Sequence, residues 1–346
     1  MSETKSRWRA LRRVAAVLLG ASVVAGLAVA ATGVANAKGE DPGVKTSTIT
    51  LQVSLTDTGP ADQTLAAFVY QPPDGHFRGI QVMIPGSTYD HRYFDLMTSH
   101  GLVSQARQAA KDGWIAVAVD KIGTGNSSHP PADEVRTAAH AATIHQLITR
   151  LKATFGNLPV ALVGHSLGSV IAIEEAATYK DVNAIVLTGF LHHAGGGNLF
   201  PELIHPAAED PAFANRPVPP GYFTTRPGLR QLFYWPFNAD LSTVMADDAI
   251  KQTTTAGEQV DFGAELTNDV FGKDVTVPVL SLVGEHDVSF FDPADLATTI
   301  AAEPAAYPAS PSVDVQVIPN AGHDLALQRN ADSTTNLIDN WLSEKI

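Results

Sequence analysis

Short apolar runs bounded by glycine, proline and asparagine alternate along most of the chain with longer stretches whose apolar positions recur every third or fourth residue. The first pattern predicts strands and the second predicts amphipathic helices. Residues 48–55 and 65–70 are rich in Val, Ile, Thr and Phe and are joined through Asp57-Thr58-Gly59-Pro60, which predicts an antiparallel pair at a sheet edge. Residues 79–84, 114–119 and 158–163 are apolar enough for strands buried on both faces, and further strands are expected at 184–187, 278–283 and 313–318. Helical spacing covers 98–111, 132–155, 167–179, 293–302 and 331–343. Strands and helices taken in turn give an α/β chain with a mostly parallel, doubly wound sheet and helices on both faces. Ligands of such sheets bind at the carboxyl ends of the strands.

The rhythm breaks over residues 191–273. This segment holds Gly195-Gly196-Gly197, many prolines and most of the aromatics, and no alternation or long helix is evident before about Ser242. An insertion of this kind commonly works as a cap over a site. Some of its rings are expected to hold it to the sheet while others, Phe223 and Trp235 among them, line a pocket. The chain therefore divides into a leader (1–37), a first core segment (38–190), the cap (191–273) and a second core segment (274–346).

Chemistry collects at predicted strand ends. The run to Val163 stops at Gly164-His165-Ser166-Leu167-Gly168, and a helix follows. A sharp strand-to-helix turn holds Ser166 clear of the sheet, and glycines flank it because larger neighbours would clash with the turning backbone. A serine hydroxyl needs an adjacent base, and His323, in the loop after the last strand, is the candidate. The base needs an anion to fix its tautomer, and Asp287, just past the preceding strand, suits. Glu285, Asp292 and Asp295 lie nearby as rivals. Two backbone amides should hold the oxyanion, each contributing roughly 3–4 kcal/mol. Leu167 N–H follows the nucleophile at a helix start, and Ser87 N–H, with Thr88 in reserve, follows the strand at 79–84. Thr88, His165 and His192 are further candidates to touch substrate.

These residues carry a resemblance. From about Thr48 onward the chain resembles an α/β-hydrolase of the esterase/lipase type, through the Ser166 elbow, the Asp287 and His323 loops and Asp120-x-x-Gly123-x-Gly125-x-Ser127. The resemblance implies an eight-stranded core, a cap after the sixth strand, and Ser-His-Asp catalysis without a cofactor. The family's usual His-Gly before the oxyanion loop is Pro85-Gly86 here.

Composition and charge narrow the partners. The net charge is −13; residues 1–37 carry Lys5, Arg7, Arg9, Arg12 and Arg13 against Glu3, so the remainder carries −17. An acidic body without a basic run argues against nucleic acid and anionic membrane surfaces. With no cysteine, disulfides and thiolate chemistry are excluded. His192-His193 and His205 lack metal-ligand spacing, so no metal is expected. A basic start, the apolar run from Val14 and Ala35-Asn36-Ala37 read as a secretory leader cleaved after Ala37, with an uncleaved anchor as the alternative.

The expected function is a secreted serine hydrolase acting on a small-molecule ester, with no membrane contact after cleavage and no obligate protein partner. The same triad could act on a thioester or lactone, transfer an acyl group to an alcohol, or run an elimination. A non-catalytic binding module on a hydrolase fold is the reading from another class.

Overall fold

The computed structural model describes residues 43–192, 200–216, 218–287 and 295–346. The leader, His193, the triple glycine and Asp292 lie outside them. Strands β1 (Lys45–Val53), β2 (Gln63–Gln71), β3 (Gly79–Ile84), β4 (Trp114–Asp120), β5 (Val160–His165), β6 (Ala184–Thr188), β7 (Val279–Gly284) and β8 (Val313–Ile318) form one sheet of eight, in the order β1-β2-β4-β3-β5-β6-β7-β8. β2 runs antiparallel to both β1 and β4, and every later pairing is parallel.

Helices α1 (Gln105–Lys111), α2 (Thr137–Phe155), α3 (Leu167–Tyr179), α4 (Leu241–Ile250), α5 (Ala256–Asn268), α6 (Leu296–Ala302) and α7 (Ala331–Lys345) complete the frame. The period of two along each strand feeds two apolar layers. On β3, Ile80, Val82 and Ile84 join the layer of Leu147, Leu151 and Ile171 from α2 and α3. Met83 joins the opposite layer, with Ala106 and Ala109 of α1 and Ile338 and Leu342 of α7. Gln81 on that second face is paired at 2.6 Å with Asp339 of α7. Each fully buried aliphatic side chain contributes about 1.5–3 kcal/mol. All residues of β3 to β7 are buried, which explains their unbroken apolar runs.

Two elements depart from expectation. The helix predicted from 98 begins at Gln105, because Leu96–Thr98 and Gly101–Val103 form a small hairpin. Gly101 turns it at φ 125, and Ser104 then caps α1 by accepting from Arg107 N at 3.0 Å. The insertion holds more order than its sequence shows. Ile204–Pro206, Tyr222–Thr225 and Thr254–Thr255 form a three-stranded sheet, with α4 before the last of these strands and α5 after it. Phe213, Tyr222, Phe233 and Tyr234 are buried anchors, while Phe237 is 84% exposed. Among the described residues no helix is long and apolar enough to cross a membrane.

Candidate active site

Ser166 joins β5 to α3 at φ 53, ψ −117, a region that L-residues occupy only under constraint. The constraint is visible. Ser166 N donates to Thr188 O at 2.7 Å, and Ser169 N donates to Ser166 O at 2.9 Å. A side chain at Gly168 would run into Ile84 O, and one at Gly164 into Gly168 O, so the elbow tolerates glycine alone at both places. Although Ser166 stands at the N-cap position of α3, its side chain makes no capping bond. The hydroxyl is left for other work.

The loops after β7 and β8 are laced together. His286 N donates to Ala321 O at 2.8 Å, Glu285 N to Ile318 O at 3.0 Å, and Asn320 N to Glu285 Oε2 at 2.9 Å. This lacing sets His323 Nδ1 2.7 Å from Asp287 Oδ2. An ionised carboxylate only accepts, so the neutral ring carries its proton on Nδ1 and keeps Nε2 as a base. Burial works against an imidazolium here, but the charge and hydrogen bond of Asp287 outweigh it, and the His323 pKa is raised. Of the rival acids, Asp295 starts α6 and Glu285 holds Asn320. Among the described residues, Asp287 is the carboxylate bonded to the ring.

Several close approaches bring the serine and the imidazole to one place. The rings of His165 and His323 are 4.7 Å apart between centroids. A Cβ placed on Gly189, at the end of β6, would lie 2.9 Å from His323 Cε1 and 3.1 Å from His165 Cε1. A Cβ on Gly86 would lie 3.1 Å from Ser166 Cβ. The loop after β3, the elbow and the His323 loop therefore meet at the carboxyl ends of β3, β5, β6 and β8. The Ser87 side chain is held by Gln259 Nε2, which donates to its Oγ at 3.0 Å.

Three of the expected substrate contacts are instead structural. Thr88 is fully buried, and its Oγ1 accepts from Arg230 Nη1 at 3.0 Å. His165 is fully buried and stacks on Tyr93 at 4.3 Å, with Nδ1 3.2 Å from Thr188 Oγ1 and Nε2 3.3 Å from Asp324 Oδ1. Burial and the neighbouring His323 hold the His165 pKa well down. His192 lies between Glu303 (3.0 Å) and Glu265 (3.2 Å), one on each ring nitrogen. Burial opposes its charge, yet hydrogen bonds to these carboxylates push its pKa up to about 9. Thr88 and His192 are thus engaged by internal partners, and His165 is closed off by burial, although its Nε2 makes no hydrogen bond among the described residues. Phe223 is half-buried on the insertion's small sheet, opposite Pro206 and Thr254. Trp235, also half-buried, stacks on His286 at 3.7 Å beside Asp287.

A buried polar network beneath the site escaped the sequence reading. Asp324 accepts from Tyr89 Oη at 2.7 Å, and burial pushes its pKa up to about 6. Tyr89 packs under the Arg230 guanidinium at 3.8 Å, and Arg230 pairs with Asp247 at 2.7 Å. Only the adjacency of Asp324 to His323 could have signalled any of this; Arg230 and Asp247 sit in the insertion, where no pattern marks them.

The comparisons agree with this architecture. The model of the alpha/beta hydrolase family matches residues 81–334. The chain belongs to the alpha/beta hydrolase family. Among solved structures, a highly thermostable carboxyl esterase from Bacillus coagulans is similar at 15% identity and TM-score 0.61, covering 87% of this chain and 98% of that one. A lipase in its open form matches at 15% identity and TM-score 0.60, covering 87% and 97%. A thermophilic esterase from Thermogutta terrifontis matches at 17% identity and TM-score 0.55, covering 86% and 98%. At such identities the likeness speaks for the fold. No match was found among curated protein sequences. The loops at the carboxyl edge of this sheet carry the candidate residues.

Proposed function

We propose that this alpha/beta hydrolase is a serine esterase, exported by its 1–37 leader, that cleaves a carboxylic ester of an apolar or aromatic small molecule. The observation that carries the reading is the 2.7 Å Asp287–His323 pair set beside a serine held in a strained elbow. Ser166 Oγ attacks the ester carbonyl as His323 Nε2 takes its proton. Asp287 keeps the ring in the right tautomer and stabilises the imidazolium. The Leu167 amide, at the positive end of α3, and the Ser87 amide receive the developing oxyanion. His323 then returns the proton to the leaving alcohol, and water, activated by the same base, clears the acyl-enzyme.

Turnover of a short p-nitrophenyl ester tests the reading. Ser166→Ala should lower kcat by roughly five orders of magnitude or more; near-normal turnover in that variant would remove the nucleophile from the scheme. Carrying out the reaction in heavy-oxygen water places label in the acid product if hydrolysis is the outcome, and leaves it unlabelled if the acyl group is transferred to an alcohol.

A further inference from the structure

The turn after β3 is held by its carbonyls from behind. Lys121, the residue after β4, is 1% exposed; its Nζ donates to Gly86 O at 2.8 Å and reaches Tyr89 O at 3.4 Å. Thr88 O accepts from Gln252 N at 2.8 Å and from Arg230 Nη1 at 3.2 Å. Thr88 itself sits at φ 61, a costly conformation for a β-branched residue, which these bonds hold in place. Among the described residues the Ser87 amide donates to no protein acceptor.

The two buried cations of this turn differ. Arg230 is neutralised by Asp247 at 2.7 Å. For Lys121 no carboxylate comes within ion-pair distance among the described residues. An ammonium bonded to carbonyls, with Glu258, Asp90 and Asp120 acting on it only from beyond ion-pair distance, is expensive to bury. Its position gives that cost a use. Gly86 C=O and Ser87 N–H are the two ends of one planar peptide unit. A cation on the oxygen fixes the plane of that unit and draws electron density from the nitrogen, which makes the N–H a stronger donor.

We propose that Lys121 is a positioning residue of the oxyanion hole, orienting and polarising the Gly86–Ser87 peptide so that the Ser87 amide meets the tetrahedral intermediate. This rests on the esterase reading and on Ser87 as an oxyanion donor. Lys121 touches neither substrate nor Ser166; it acts through the peptide. Its effect belongs to the transition state, where charge on the carbonyl oxygen is greatest, and little of it is felt by the bound ester.

The test compares wild type, Lys121→Met and Lys121→Arg in three measurements: ester kinetics, inhibition by a trifluoromethyl ketone that forms a tetrahedral adduct with serine, and thermal unfolding. Lys121→Met should lower kcat by about ten- to a hundredfold with KM nearly unchanged, since a weakened oxyanion donor costs less than a deleted one. The inhibitor should weaken by the same factor as kcat/KM, and Lys121→Arg should recover part of both. A folded Lys121→Met with kcat within about twofold of wild type overturns the proposal. So does a loss in which inhibitor affinity is unchanged and arginine rescues nothing, because that is the mark of a merely structural lysine. Should Lys121→Met fail to fold, Lys121→Gln, which keeps a donor and drops the charge, is read by the same inhibitor ratio. If the wild-type protein turns over no ester and a fluorophosphonate fails to label Ser166, the esterase reading itself falls and takes this inference with it.

Discussion

At Ser166 and His323 the chemistry depends on single conformations. The elbow holds its serine at φ 53, ψ −117, at a cost of about 1–3 kcal/mol that the surrounding bonds must cover. Burial depresses the His323 imidazolium, while Asp287, by charge and hydrogen bond, and then the charge of Asp324 raise it. Because the neutral ring is the base, kcat/KM should climb with pH through a midpoint above the ordinary histidine value of about 6.5. Removing Asp287 takes away the larger support of that charge and leaves Asp324 alone against burial, so Asp287→Asn should move that acid limb to lower pH while cutting kcat roughly 10⁴-fold. A pH–rate profile of both proteins checks this. A limb that stays in place would mean that Asp287 does not set the His323 pKa. The strand-end places of Ser166, Asp287 and His323 were legible in sequence, and the fold pairs the last two. Residue identity was misleading at Thr88, His165 and His192, because a polar residue near a strand end looks the same in sequence whether it faces a ligand or an internal partner. Burial decides between the two, and burial of a lone polar side chain leaves no periodic trace.

Among the elements, the strands with continuous apolar runs were the easiest to read. β3 to β7 are covered on both faces, so their sequences carry no competing polar alternation. The hairpin at 96–103 was read from residue 98 onward as helix because its strands are too short to show a period of two. The insertion was opaque for a different reason. Its strands are short, and it is joined to the core through its buried Arg230–Asp247 pair, which meets Thr88 and Tyr89 of the core by long-range contacts that no local pattern announces. That junction makes a prediction at this scale. Removing one member of a buried ion pair strands the other, so Asp247→Asn should lower the unfolding free energy by about 3–5 kcal/mol. Replacing both, as Arg230→Met with Asp247→Leu, should recover much of the loss. Urea denaturation of wild type and the two variants measures it, and an Asp247→Asn variant as stable as wild type would show that the pair does not hold the insertion down.

For the molecule as a whole, sheet topology is what turns distant sequence into one site. Ser166, Asp287 and His323 each follow a parallel strand, and a parallel sheet brings all such positions to the same edge. The alternation of strand and helix was therefore enough to place the candidate residues together before any contact was known. The acidic body, net −17 outside residues 1–37, fits an esterase that meets a neutral or apolar small molecule rather than a polyanion. The most direct measurement is labelling of the intact protein with a fluorophosphonate, followed by mass spectrometry of its peptides. A single adduct on Ser166, abolished in Ser166→Ala and strongly slowed in His323→Ala, is the result predicted here. A wild-type protein that takes up no label, or takes it up at another residue and equally well without His323, would contradict it.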